Sequence, residues 1–425
     1  MNNIPQLRGA RYERLVLPNG ARLLHERDPG ARSAALGVWV ASGSRHERAS
    51  EAGASHFIEH MVFKGTPRRS ASTLAAQMDA LGGQIDAFTT REYTCFHGRT
   101  LDTRLREMAD ILGDMLQNSR FDEPDVANER GVIFEEIDMY EDTPEELVSD
   151  RLLSAVFKGN ALSRPILGKR PALTKMTGEF LRESMSRRYL GGDIVVALAG
   201  SYTPGDIDCI ADIFSAFAPG RGAAVPQARY ASSVAVKRKN LEQNHFCVAF
   251  PCPGIADEHR CALHLASDIL GGGMSSRLFQ SVREDRGLCY SVYSYVSGYR
   301  DTGLFSVYAA LGRQTQGEAL RVISEELAKF ALGGVTEEEL ACAREQVKTN
   351  ILLGTESTAA RINALARGEM YFGGADTPDE AIARYDGVTA DDVLRAASCL
   401  ADRSLMSFSA VGKVDAAESY LSYFE

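Results

Sequence analysis

Nowhere in its 425 residues does this chain run apolar for the roughly 20 positions that a membrane-spanning helix needs, so no span is expected. Met1 to Arg22 holds charges and a proline but lacks the apolar stretch of a signal peptide, and a cytoplasmic location is the expectation. A basic excess is also missing. The formal charge is −10 and the pI is near 5.5, whereas a nucleic-acid partner calls for a basic footprint. Lys237-Arg238-Lys239 and Arg187-Arg188 are too short to supply one and read as solvated charge. The eight cysteines are scattered, and the closest pair, Cys247 and Cys252, lacks C-x-x-C spacing, which excludes a disulfide framework and a thiolate metal site. They read as reduced, buried residues. Gly271-Gly272-Gly273 lacks the G-K-[ST] ending of a phosphate loop and reads as a helix-breaking turn.

What is present is an apolar fraction of 44%, enough for sizeable cores, in a length that suits two domains of about 200 residues. Glu13 to Leu17 and Ala21 to Glu26 form a hairpin around Pro18-Asn19-Gly20. Ser33 to Ala41 is a second apolar strand. A helix over Ala54 to Lys64 closes at Gly65, and another over Ser72 to Leu81 stops at Gly82-Gly83. Gln84 to Thr89 and Tyr93 to Arg99 alternate as strands. Helices follow at Leu101 to Leu116, Pro124 to Tyr140, Pro144 to Phe157 and Met176 to Tyr189, before a buried strand at Asp193 to Ala199.

Beyond Pro219 to Ala231, which has the composition of a linker, the order returns. Tyr290 to Val296 and Gly303 to Leu311 repeat the strand pair, Thr336 to Leu352 the long helix, and Ser404 to Val411 the strand ending in glycine. The expected fold class is α+β: two similar α/β domains, each a mostly antiparallel sheet packed with helices, from duplication of one unit. The expected boundaries are residues 1–218, a linker over 219–231, and 232–425.

The chemistry concentrates at His56-Phe57-Ile58-Glu59-His60. On a helix His56 and His60 stack at i and i+4 and can present two imidazoles to one tetrahedral metal, with Glu59 beside them. This is the inverted zinc-protease pattern H-x-x-E-H. With 8 His and, by count, 31 Glu in the sequence, about 0.01 chance matches are expected. The second half has no such motif, and His259 and His264, five apart, do not share a helix face. A catalytic zinc needs a third protein ligand and an open position. Glu129 and Glu136, seven apart in the Pro124 to Tyr140 helix, share a face, whereas Glu135 points about 100° away from Glu136. On spacing alone that pair is equally a solvated acidic stripe.

H-x-x-E-H, followed some 75 residues later by the E-R-x-V-I-x-x-E segment Glu129 to Glu136, resembles the pitrilysin and mitochondrial processing peptidase family. The resemblance runs over nearly the whole chain. It implies one zinc per subunit, held by His56, His60 and Glu136, with Glu129 as the supporting glutamate and Glu59 as the general base of an endopeptidase. Arg283-Glu284-Asp285-Arg286-Gly287-Leu288-Cys289-Tyr290 is similar to the family's R-x-x-x-x-L-x-Y element, in which Arg283 and Tyr290 would contact bound peptide and stabilise oxyanion charge. Gly82 to Thr89 resembles its active-site edge strand, on which peptide would add along Ala87, Phe88 and Thr89. Longer relatives enclose substrate in a clamshell of four domains; two domains imply half of one, completed as a homodimer whose Arg283 and Tyr290 serve the partner's zinc, with a heterodimer with a sister chain as the alternative.

Two other classes compete with this reading. A non-catalytic scaffold of the same fold would lack parts of the motif, yet His56, Glu59, His60 and Glu136 are all present. A metal-dependent lyase such as S-ribosylhomocysteine lyase also uses H-x-x-E-H, but is much shorter and not duplicated.

Overall fold

The structure is a computed structural model that describes residues 12–424; the start of the stretch read for targeting signals lies outside them. The contacts form two compact units. The first takes in the described chain up to Ile137, Arg164–Val225 and Ile351–Glu380; the second takes in Asp138–Ser163, Pro226–Asn350 and the chain from Ala381.

The first unit is built on six strands: β1 (Glu13–Val16), β2 (Arg22–Arg27), β3 (Ser33–Val40), β4 (Gln84–Thr89), β5 (Thr94–Leu101) and β6 (Ile194–Gly200), in the order β1-β2-β6-β3-β5-β4. Only β2 and β6 run parallel; the other neighbours are antiparallel. In β3, Ala34, Leu36, Val38 and Val40 point into one core, while Ala35 and Trp39 point into another on the opposite face. Burial on both faces explains why this strand reads as an unbroken apolar run rather than an alternation.

One face is covered by α1 (Ala54–Met61), α2 (Ala71–Ala80), α3 (Leu105–Asn118) and α4 (Glu123–Glu141), which contribute Phe57, Leu74, Leu112 and Ile133 to its core. The other face is covered by the helix Thr358–Phe372 through Ile362, Leu365, Ala366 and Met370.

The second unit has five strands: β7 (Val234–Arg238), β8 (Asn244–Cys252), β9 (Cys289–Gly298), β10 (Gly303–Leu311) and β11 (Ser407–Gly412), in the order β7-β11-β8-β10-β9. Matching β7, β11, β8, β10 and β9 to β2, β6, β3, β5 and β4 reproduces every pairing, including the single parallel one. The duplication expected from element order is therefore present in the hydrogen-bonded topology.

The contiguous halves 1–218 and 232–425 differ from the contact units at two helical segments. The helix α5 (Pro144–Val156) buries Leu147, Val148, Leu152 and Val156 with Cys247, Ala249, Tyr308 and Val411 of the second sheet. The helix Thr358–Phe372 belongs to the first sheet. An apolar helical face dictates burial but not which sheet receives it.

Smaller differences are local. The first-domain helix expected to start at Leu101 starts at Leu105, because β5 extends through Leu101 and a 3-10 turn intervenes. The helix α1 tightens to a 3-10 turn at Val62–Lys64 before Gly65, whose φ is 109°. All eight cysteines are free thiols. Among the described residues no helix is long and apolar enough to cross a membrane.

Candidate metal centre

The helix α1 is held by its apolar side. Phe57, Ile58 and Met61 are fully buried in the core, which turns His56, Glu59 and His60 toward α4 and the end of β4. The imidazole centroids of His56 and His60 lie 4.5 Å apart. On α4 only Val126, Glu129 and Ile133 are fully buried, and this seam sets the face on which Glu129 and Glu136 stand. Glu135 is exposed, as the helical angle requires.

Glu136 reaches both histidines, with Oε1 3.6 Å from His56 Nε2 and Oε2 3.5 Å from His60 Nε2. One ligand atom from each of His56, His60 and Glu136 lies within 4.8 Å of the others, the one such group of metal-binding side chains among the described residues. Glu136 Oε2 is buried with no hydrogen-bond donor. Two imidazole nitrogens and one carboxylate, converging around an oxygen that lacks a partner, fit a zinc ion with three protein ligands and an open position.

The surroundings orient these groups. His60 Nδ1–H donates to Glu129 Oε1 at 2.8 Å, which fixes the tautomer and leaves Nε2 for the metal. Lys64, one helical turn beyond His60, places its ammonium 2.5 Å from the other Glu129 oxygen. Glu129 is 6% exposed. Burial would raise its carboxyl, but hydrogen bonds from His60 and Lys64 outweigh this and hold it below the usual carboxylate range. Burial pulls His60 down, and the Glu129 hydrogen bond with the charges of Glu136 and Glu59 more than reverses this. The His56 ring beside it holds the Glu136 carboxyl low against burial. On the Nδ1 side His56 lacks a partner of this kind, that atom being buried without one, and its one polar neighbour is Glu136 at Nε2.

Glu59 stands apart from the three converging side chains. Its Oε2 accepts a hydrogen bond from Thr89 Oγ1 at 2.5 Å. Burial raises its carboxyl, and His56, the Thr89 hydrogen bond and His60 only partly oppose the shift. A half-buried carboxyl of raised basicity beside these three side chains is suited to carry a proton.

Strand β4 ends its sheet, paired with β5 on one side only. Its three expected peptide contacts separate by face. Thr89 turns to Glu59 and Ala87 packs on the core, whereas Phe88 stacks edge-on against Tyr93 and His97.

In the second unit, Arg283 and Tyr290 are brought together. The guanidinium lies 4.7 Å from the tyrosine ring centre and donates to the Tyr290 carbonyl at 2.9 Å. Tyr290 is 74% exposed. His259 and His264 hold no metal-type cluster; His264 meets the Tyr385 hydroxyl at 2.9 Å. Reasoning from spacing missed two supports of the site. Lys64, at i+4 from His60, was findable on the helix face; Thr89 as the partner of Glu59 was not, since strand and helix meet only in the fold.

Comparison with known proteins supplies the family. Residues 22–170 match the family described as insulinase (peptidase family M16), and residues 175–347 match the peptidase M16 inactive domain. The chain belongs to peptidase family M16. It is 37% identical over 382 residues to YmxG of Bacillus subtilis, named as an uncharacterised zinc protease, covering 90% of this chain and 93% of that one. It is 39% identical over 392 residues to an uncharacterised zinc protease of Streptomyces coelicolor, covering 89% of this chain and 85% of the other. The fold is that of a peptidase M16 inactive domain from Pseudomonas fluorescens, with a TM-score of 0.88 at 20% identity over 96% of this chain and 99% of that one. A protease from Helicobacter pylori superposes with a TM-score of 0.87 at 18% identity, covering 95% and 100% of the two chains.

Proposed function

We propose that this M16 chain is a zinc-dependent endopeptidase that hydrolyses short or unfolded peptides in an enclosed chamber. The observation that carries the reading is the convergence of His56, His60 and Glu136 within 4.8 Å, with Glu59 held beside them from the end of an open edge strand. Zinc bound there would polarise the scissile carbonyl and lower the pKa of a water toward about 7.

His56, His60 and Glu136 would hold the ion, and Glu129 keeps His60 in the tautomer that can bind it. Glu59 takes a proton from the attacking water and hands it to the leaving amine as the C–N bond breaks. The free edge of β4 offers main-chain donors and acceptors to an extended peptide, a mode that reads shape more than sequence and favours unfolded substrates. The expected result is cleavage of an unstructured quenched-fluorescent peptide, lost with a chelator and restored by zinc, with a folded protein left uncut. Hydrolysis that persists in the chelator would refute the reading.

The reading extends to a homodimer in which each copy supplies Arg283 and the exposed Tyr290 to the zinc site of the other. Mixing Glu59→Gln with Arg283→Ala subunits then restores activity, because one of the two mixed sites carries neither change. Failure to restore any would contradict the shared site.

A further inference from the structure

The helix that carries His56 and His60 has no capping side chain of its own. Its N-cap is Gly53, with φ 98°, where an added Cβ would meet the Gly168 Cα and the Leu167 carbonyl at 2.9 Å each. The missing acceptor comes from six residues upstream. Glu47, 4% exposed, receives the Gly53 N–H on Oε2 at 2.8 Å and the Ser55 N–H on Oε1 at 2.6 Å. Both carboxylate oxygens are thus spent on the first turn of an eight-residue helix, in which His56 is the third residue.

The segment bearing Glu47 is in turn fixed to the end of β4. Ser44 N–H donates to the Thr90 carbonyl at 3.2 Å and Arg45 N–H to the Arg91 carbonyl at 2.8 Å. The Arg45 guanidinium donates to Glu92 at 2.7 Å. At Gly43 the two backbones come so close that a Cβ would lie 2.2 Å from the Thr90 carbonyl oxygen. Residues 43–47 therefore join the strand that ends in Thr89 to the helix that bears His56, Glu59 and His60.

We infer that Glu47 is a positioning residue for the metal centre, fixing the first turn of the histidine helix and setting its distance from the edge strand. This rests on reading His56, His60 and Glu136 as zinc ligands. Without the Glu47 side chain, the first turn loses the acceptor for two of the N–H groups that a helix start leaves unpaired. His56, the third residue of that helix and without a partner on Nδ1, takes the consequence.

The test is a zinc titration against a competing chelator on the full chain, with kcat and KM measured separately. Glu47→Gln keeps the volume and exchanges one of the two acceptor oxygens for an N–H donor; its zinc Kd is expected to rise about 10- to 100-fold, the range for lost outer-shell support, with kcat falling and KM nearly unchanged. Glu47→Asp, which keeps both acceptor oxygens but is one methylene short, is expected to lie between. Ser70→Ala is the control. It removes an ordinary cap, the acceptor of the Thr73 N–H at 3.1 Å at the start of α2, and should lower the thermal midpoint while leaving zinc affinity alone.

If Glu47→Gln and Glu47→Asp bind zinc like the wild type, behaving as Ser70→Ala does, the inference is overturned. A wild type that binds zinc but cleaves no peptide refutes the peptidase reading alone, and the zinc Kd still decides for or against Glu47. A wild type that takes up no zinc overturns both.

Discussion

Substituting Glu129 probes the site's electrostatics without removing a ligand. Its Oε1 accepts from His60 Nδ1 at 2.8 Å and its Oε2 lies 2.5 Å from the Lys64 ammonium, in a setting only 6% exposed. Glu129→Gln leaves an acceptor for the imidazole but turns a charge-assisted bond, worth about 1.5–3 kcal/mol, into a neutral one worth about 0.5–1.5 kcal/mol. The difference, about 1–1.5 kcal/mol, is close to a tenfold change in an equilibrium constant. Glu129→Ala removes the acceptor and leaves Lys64 without its counter-charge. Its zinc Kd is expected to rise up to about a hundredfold.

The assay is competition with a chromophoric chelator near neutral pH, with circular dichroism to show that the helices persist. Glu135→Gln, on the exposed side of the same helix, should leave the Kd at the wild-type value. Unchanged zinc affinity in Glu129→Ala would refute the assignment of Glu129 as the group that orients His60.

Other consequences can be measured on the same protein. Glu136→Gln should lose its zinc on dialysis while keeping the fold, read by metal analysis and circular dichroism; retained stoichiometric zinc would show that Glu136 is not a ligand. Ile133 is fully buried in the core beneath α4, so Ile133→Ala should destabilise the first unit by about 2–5 kcal/mol. Trp39, the single tryptophan and 1% exposed in that unit, reports the shift in urea midpoint by fluorescence. Burial pushes the Glu47 carboxyl up to about 7, against the Ser55 and Gly53 N–H groups and the charge of Arg188. The folded protein then keeps a proton that the unfolded chain releases from about pH 4.5 upward, so stability relative to Glu47→Gln should fall as pH rises to about 7 and level off above. The total is about 3 kcal/mol at 1.36 kcal/mol per unit; a difference in thermal midpoint that stays constant from pH 5 to 8 would exclude it.

The histidine helix, the strand pair at β4 and β5 and the repeat of element order were legible because each is a local pattern of spacing and apolar periodicity. The i, i+4 stacking of His56 and His60 follows from helix geometry alone, and the shared face of Glu129 and Glu136 likewise. That Glu136 meets the histidines did not follow from spacing, since 76 residues separate it from His60; the family resemblance supplied it. The exchange of α5 and the helix Thr358–Phe372 between the two sheets was hidden for a different reason. Their apolar faces say that they are buried, and either sheet offers an equivalent surface after duplication. Strands β7 and β8 went unassigned because β7 is only five residues long with no fully buried position and β8 is apolar without alternation. The capping of α1 by Glu47 was not legible either, because the usual cap position is occupied by glycine and the acceptor lies outside the local motif.

The most direct test of the zinc peptidase reading is Glu59→Gln, with zinc content and peptide cleavage measured on the same preparations as the wild type. Because Glu59 hydrogen-bonds Thr89 rather than joining the three convergent donors, the variant should hold zinc as the wild type does and lose turnover by at least about a hundredfold, the lower range for a general base. Loss of the zinc would make Glu59 a ligand, and retained turnover would remove it from the chemistry; either result contradicts the assignment.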